Sequence, residues 1–240
     1  MNAPQKTSAQ LKRVSIIVVT YNAAATLQAC LDSIYAQTYS NIELVVIDGD
    51  STDGTPEILK ANTARIAFWQ SEPDKGIYDA MNKALQHTTG DWVYFLGADD
   101  ELLPAFSVFA EELRDDTTIY YANVIHKGVK RAGQVSPYYM AKVGIYHQSI
   151  IYPAAVFKGT RFDTPYRVFA DWVFNMQCFG RGFNFEYRDY IIANYSHEGL
   201  SSHAIDEAFE KDRAGIILKN FGLKIWLRYR FRRFKERLKG

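Results

Sequence analysis

Residues 14–56 read VSIIVVTYNAAATLQACLDSIYAQTYSNIELVVIDGDSTDGTP. The opening VSIIVVTYN is a continuous apolar run rich in β-branched residues, the composition of a strand buried on both faces. Leu27, Leu31 and Ile34 then recur at helical spacing. A second apolar run, from Ile42 to Ile47, ends in a polar turn, after which Thr55 and Pro56 supply an N-cap and a first helical residue. Strand, helix, strand and helix in this order predict a largely parallel sheet with helices on both faces.

The same grammar continues on the C-terminal side. RIAFWQ (65–70) is a third strand and DWVYFLG (91–97) a fourth. Between them GIYDAMNKALQHTTG (76–90) reads as a helix, with Ile77, Met81, Ala84 and Leu85 inward and Gly90 ending it. Beyond about residue 115 the regularity weakens. TIYYANVI (118–125) and HQSIIY (147–152) have strand character, and FADWVFNMQCFGRG has helical spacing through Phe169, Val173, Met176 and Gln177. From about residue 205 the chain turns helical again, with a break at Asn220, Phe221 and Gly222. The expected division is therefore a body over residues 1–204 and a helical extension over 205–240. In open α/β sheets ligands sit beyond the carboxyl ends of the strands. Thr20, Tyr21 and Asn22, the turn 48–53 and the turn 97–101 all fall at such ends and should converge on one crevice.

Composition limits the class. A chain of 240 residues with 48% hydrophobic and 23% charged side chains buries a full core. No apolar run is long enough to span a bilayer, and the first residues, MNAPQKTSAQLKR, lack the apolar centre of a secretory signal. Cys30 and Cys178 make neither a disulfide framework nor a zinc pattern and read as reduced core residues, so the expected compartment is the cytoplasm. Net charge is +1, but residues 219–239 hold nine basic side chains against Glu236 alone, a local +8 that leaves −7 elsewhere. An acidic body with a basic tail suggests two jobs.

WVYFLGADDEL (92–102) drives a buried-looking strand into Asp99, Asp100 and Glu101. Such a cluster is either a solvated turn or a site for a hard divalent cation, Mg²⁺ or Mn²⁺, bridging to substrate phosphates. A strand that fixes the acids at the rim of the crevice favours the cation.

At this point residues 14–55, DKGIYDAMNKAL (74–85) and GDWVYFLGADDEL (90–102) together resemble the inverting glycosyltransferases of family 2, which have the GT-A fold. The resemblance covers residues 14–103 closely and continues more loosely to about 202 through YHQSIIY and FADWVFN. It implies that Thr20, Tyr21 and Asn22 hold the nucleotide, with Thr20 and Tyr21 at the base. Asp48 or Asp50 would touch base or ribose, since Gly49 stands where the family's DDGS turn has its second acid. In the family's Asp-x-Asp metal motif the first acid is missing here: Gly97 precedes Ala98 and Asp99. Asp99 matches the acid that binds the metal through the donor diphosphate, Asp100 follows it, and His197 would complete the metal shell. Asp171, preceded by Ala170 in place of a further acid, matches the base that deprotonates the acceptor, or else is only an N-cap. Asp74 and Asp79 are donor-sugar or ribose contacts or plain capping acids. His147 shapes the acceptor side or is a buried structural histidine.

In the tail, Leu223, Leu227, Phe231, Phe234 and Leu238 step by helical spacing and make one apolar stripe flanked by Arg and Lys. Such a helix suits an anionic membrane interface, though docking on the body, on a partner or on nucleic acid gives the same pattern. The resemblance favours the membrane, because many relatives extend lipid-linked saccharides. The expectation is a metal-dependent hexosyltransferase on the inner face of the cell membrane. It would move a hexose or N-acetylhexosamine from a nucleotide sugar, a UDP-sugar first, to a lipid-linked glycan of a surface polysaccharide. Two competing readings are a non-catalytic glycosyltransferase-like scaffold anchored by its tail, and a nucleotidyltransferase. The latter lacks the expected Gly-rich, basic loop after the first strand.

Overall fold

A computed structural model describes residues 11–131, 133–196 and 206–238. Its centre is a nine-stranded sheet of order β3-β2-β1-β4-β8-β6-β9-β5, with β7 paired to β6. The first half is the expected parallel unit: β1 (Val14–Thr20), β2 (Ile42–Asp48), β3 (Phe68–Ser71) and β4 (Trp92–Gly97) run the same way. Helices α1 (Leu27–Tyr35), α2 (Thr55–Ala61) and α3 (Ile77–Ala84) connect them. Every residue of β1 is buried, as its two-sided apolar run requires. Ile16 and Val18 join one core cluster with Leu27, Leu31 and Phe106, while Ile17 and Val19 join the other with Met81, Phe174 and Phe209. The sheet thus separates two apolar layers, one covered by α1 and the other by α3 and the C-terminal helices.

Beyond β4 the direction changes. β8 (Ile150–Pro153) runs antiparallel to both β4 and β6 (Thr118–His126), and β6 pairs in parallel with β9 (Asn184–Tyr195). The short β5 (Glu101–Leu102) pairs with the end of β9, and β7 (Val129–Arg131) forms a hairpin with β6. Helices α4 (Ala105–Ala110), α5 (Pro137–Lys142) and α6 (Ala170–Gly180) complete the body. Helix α7 (Glu207–Arg237) kinks at Gly222, whose φ of +76° lies in the left-handed region that favours glycine. Its first arm buries Phe209 and Ile217 in the body's core, and its second arm returns Tyr229 to the same cluster. Among the described residues no helix is long and apolar enough to cross a membrane.

Several local expectations fail. Thr55 is the first residue of α2, whose N-cap is Gly54, and Asp171 lies inside the first turn of α6, whose N-cap is Phe169. Ile77 is 37% exposed, and Tyr78 takes the inward place instead. Gly90 does not end α3, which stops at Ala84 and passes into a 3₁₀ turn at residues 85–87. Its smallness serves a different end: a Cβ there would lie 2.6 Å from Ser15 Oγ, 2.7 Å from the Ser15 nitrogen and 2.9 Å from the Arg13 carbonyl oxygen. Gly90 lets the chain press against the start of β1. Backbone atoms cannot rotate aside, so Gly90→Ala is expected to cost about 1–3 kcal/mol by overpacking, measured as a lowered midpoint in chemical denaturation.

Candidate active site

Sheet register assembles the site. Thr20 lies opposite Asp48, Asp48 opposite Ser71, and Val19 opposite Gly97, so the turns after β1, β2 and β4 stand side by side. The Gly49 N–H donates to the Thr20 carbonyl at 2.9 Å. Asn22, at φ +49°, locks the first turn onto the second: its N–H donates to Ser51 Oγ at 2.7 Å and its side-chain oxygen accepts from the Thr52 N–H at 2.9 Å. Asn is among the few residues that visit this backbone region readily.

The two acids of the second turn part company. Asp48 is fully buried, and its carboxylate accepts from the Ser51 N–H and hydroxyl at 3.0 and 2.5 Å and from the Ser71 hydroxyl at 2.6 Å. It is a brace for the turn. Asp50 is exposed at φ +66° and faces outward. Tyr21 is 66% exposed, and Asp74 is brought against the same turn: a Cβ on Gly49 would meet Asp74 Oδ2 at 2.6 Å and the Tyr21 ring at 3.4 Å. The other Asp74 oxygen accepts from the Gly76 N–H at 2.7 Å. Tyr21, Gly49 and Asp74 therefore form one wall, and the Thr20 hydroxyl behind it is buried without a partner. Asp79 is drawn onto its own helix, accepting from the Lys75 N–H at 3.0 Å with Lys83 Nζ at 3.9 Å.

In the third turn Asp99 is exposed and Asp100 is buried. The Asp100 carboxylate accepts from the Ser196 N–H at 2.8 Å, the Gln148 amide at 2.9 Å and the Gly97 N–H at 3.1 Å. Burial, aided by the charge of Asp99, pushes its pKa up to about 6 against the pull of those hydrogen bonds. Cys30 donates to the Gly97 carbonyl at 3.3 Å, and burial raises its thiol pKa, so it stays an inert core residue.

Asp171 opens α6, and its Oδ1 accepts from the Tyr78 hydroxyl at 2.6 Å. The Tyr78 oxygen also lies 2.7 Å from the Val168 carbonyl, and burial followed by the Asp171 charge holds its pKa well above the usual range. On the other side His147 Nδ1 stands 3.7 Å from Asp171 Oδ2. Both His147 nitrogens are buried without a hydrogen-bond partner, and the ring packs on Phe95 at 4.9 Å. Burial lowers the His147 pKa more than Asp171 raises it, so the imidazole is neutral at neutral pH. Its neighbour Gln148 bonds Asp100. The dipeptide 147–148 is thus bonded to the acidic turn after β4 and only adjoins the carboxylate on α6.

The glycosyl transferase family 2 profile matches residues 15–183. The chain belongs to that family. It is similar to a PGL/p-HBAD biosynthesis glycosyltransferase of Mycobacterium bovis, 38% identical over 212 residues, with 82% of each chain covered. A shorter stretch of 88 residues is 42% identical to the Escherichia coli UDP-Glc:alpha-D-GlcNAc-diphosphoundecaprenol beta-1,3-glucosyltransferase WfgD, over 36% of this chain and 35% of that one. The fold matches S. aureus TarS with a TM-score of 0.71 at 18% identity, covering 87% of this chain and 40% of that one. It also matches the Pyrobaculum calidifontis mannosyltransferase PcManGT, solved with GDP-Man and Mn²⁺, with a TM-score of 0.64 at 23% identity over 89% of this chain and 64% of that one. The chain is accordingly a glycosyltransferase with the GT-A fold.

Of the candidates, Thr20, Tyr21, Asn22, Asp74 and Asp99 stand on or against the adjoining turns, Asp50 faces outward from them, and His147 stands beside Asp171. Asp48, Asp79 and Asp100 serve as braces and caps. His197 lies outside the described residues, among which no group of three or more His, Cys, Asp or Glu side chains is set to hold a metal ion. Tyr78 and Gln148 are the hydrogen-bond partners of the candidate acids Asp171 and Asp100 that spacing did not suggest. The available signal was chemical: a Tyr or Gln on an inward face needs a partner for its polar end.

Proposed function

We propose that this transferase moves a hexose or N-acetylhexosamine from a UDP-sugar to a lipid-linked saccharide, with inversion and with Mg²⁺ or Mn²⁺. The observation that carries the reading is the candidate base Asp171 standing beside His147, whose sequence neighbour Gln148 donates to Asp100 in the turn that would face the leaving diphosphate. In the reaction Asp171 Oδ2 takes the acceptor hydroxyl proton as that oxygen attacks the anomeric carbon, and the nucleotide diphosphate departs from the opposite face. Tyr78 fixes the Asp171 carboxylate by donating to Oδ1. Tyr21 and Asp74 offer a ring and an acceptor to the nucleoside.

The donor set suits one hard cation: Asp99 is the free carboxylate, whereas both oxygens of Asp100 already hold donors. Mg²⁺ is commonly held by one or two carboxylates with substrate phosphates and water, so Asp99 would hold it. The cation supplies charge neutralisation for the leaving diphosphate. The exposed stripe of the α7 second arm and its basic flank support a peripheral position on the inner face of the cell membrane. The role in surface-polysaccharide assembly leans on the relatives named above, one of them named for PGL/p-HBAD biosynthesis and the other for glucosyl transfer to GlcNAc-diphosphoundecaprenol.

The test is a screen of nucleotide sugars, with membrane extract as acceptor source, for UDP release that chelation abolishes. Release from no UDP-sugar sinks the reading; UDP binding without release or transfer marks a scaffold. A narrower expectation concerns the wall. Gly49→Ala forces Asp74 off its place, and an overpacking cost of about 1.4 kcal/mol raises the donor KM about tenfold with kcat little changed. Initial-rate kinetics against donor concentration check it.

A further inference from the structure

The kink at Gly222 folds the second arm of α7 back beside the first, and the angle between them is hollow. A cavity of about 310 Å³ is lined by Glu210 and Lys211 from the first arm and by Arg230, Arg233, Phe234 and Arg237 from the second. Tyr229 separates it from a smaller cavity of about 130 Å³, where Arg213, Arg232 and Arg233 meet Lys142 and Glu236. Positive charge is in excess. Glu210 is already shared by Arg213 at 2.7 Å and Arg233 at 3.3 Å, and Glu236 by Arg232 at 2.8 Å and Lys142 at 3.9 Å.

Arg213 makes this more than a charged surface. Only 8% exposed, it lies over the rings of Trp172, Phe209 and Tyr229 at 4.5, 5.2 and 5.3 Å. One of its terminal nitrogens donates to the Lys142 carbonyl and the other to Glu210, while its Nε is buried with no partner. Arg213 lines the smaller cavity with Lys142, Arg232 and Arg233, and a cluster of guanidinium donors of this kind suits an anionic acceptor. Next to the hollow runs the apolar stripe, with Leu223, Leu227, Phe231 and Leu238 each more than half exposed. Phe234, 59% exposed, belongs to both features, since it also lines the larger cavity.

We propose that the angle between the two arms of α7 binds the phosphate of an anionic lipid headgroup, with a preference for a phosphomonoester, while the stripe enters the acyl boundary. The arginine forks match phosphate oxygens, and a dianion suits the surplus of cations better than a monoanion. This rests on the membrane reading above and narrows it, from diffuse attraction to a site.

The experiment is co-sedimentation of the full chain with phosphatidylcholine vesicles containing either phosphatidic acid or phosphatidylglycerol, adjusted to equal surface potential. Tighter binding to phosphatidic acid is expected. Lys224→Gln, outside both cavities, should weaken the two compositions alike by about fivefold and keep their ratio. Arg233→Gln should bring phosphatidic acid down to the phosphatidylglycerol level. Equal binding of the unaltered chain at matched potential, or an Arg233→Gln that preserves the ratio, overturns the site while leaving the membrane reading intact. Binding to neither composition overturns the membrane reading itself. Calorimetry with inorganic phosphate alone separates the source: saturation by free phosphate at concentrations matching the lipid phosphate would make the ligand soluble and sink the lipid assignment.

Discussion

Asp171→Asn is expected to lower the transfer rate by about 10²–10⁴ while leaving UDP affinity within about twofold of the unaltered enzyme. The substitution preserves shape. Asparagine Oδ1 still accepts the Tyr78 hydroxyl, now 2.6 Å from Asp171 Oδ1, and the helix start is undisturbed. What disappears is the ionised oxygen on the His147 side, 3.7 Å from Nδ1, the one that Tyr78 does not occupy. His147 cannot substitute as an equal: its ring is walled by Phe95, Phe162 and Tyr152, and burial disfavours its charged form. Tyr78→Phe tests the supporting part. It removes the hydroxyl that orients Asp171 without touching the acid, so a smaller loss in kcat with unchanged UDP affinity is expected. Paired titrations of UDP binding and transfer rate decide the matter. If Asp171→Asn costs both in proportion, the aspartate holds the fold together rather than the proton.

The parallel half of the sheet was legible because its signal is strong: β1, β2 and β4 are apolar on both faces, and the helices between them carry clean stripes. The other half was not. β9 spells NFEYRDYIIANY, and its charges hide the strand because they are satisfied sideways, Arg188 pairing with Glu112 at 2.8 Å and with Glu186. Helix α4 spans only residues 105–110, too short for a period to show. In the site, the sequence located acids at strand ends but not the direction each would face. Asp48 and Asp50 are two residues apart, yet three donors pull the first inward while a left-handed backbone turns the second out. Asp99 and Asp100 divide the same way, and the deciding donors, Gln148 and Ser196, come from far along the chain. Spacing carries the position of a strand end; the donors that orient a carboxylate are tertiary.

That distinction governs the second large effect. The family's metal motif has an acid where this chain has Gly97, so Gly97→Asp restores the common pattern and on motif grounds should strengthen cation binding. The opposite is expected. A Cβ at position 97 would lie 2.6 Å from Asp100 Oδ2, 3.2 Å from its Cγ and 2.9 Å from Asp99 Oδ1. Asp100 cannot swing aside without abandoning the Ser196, Gln148 and Gly97 donors that compensate its burial. A third carboxylate would also sit beside one whose pKa already stands at about 6. Overpacking and the uncompensated charge together should destabilise the fold by about 3 kcal/mol and abolish transfer, read as a lowered denaturation midpoint and loss of UDP release at saturating Mn²⁺. Gly49 repeats the logic, since Asp74 occupies the room its side chain would need. In both turns the glycine and the neighbouring acid are one unit: the missing carboxylate of each motif is matched by another carboxylate leaning over the bare backbone. A Gly97→Asp protein that folds as stably as its parent and binds Mn²⁺ more tightly would mean that Asp100 is free to move, and that Gly97 is no structural requirement.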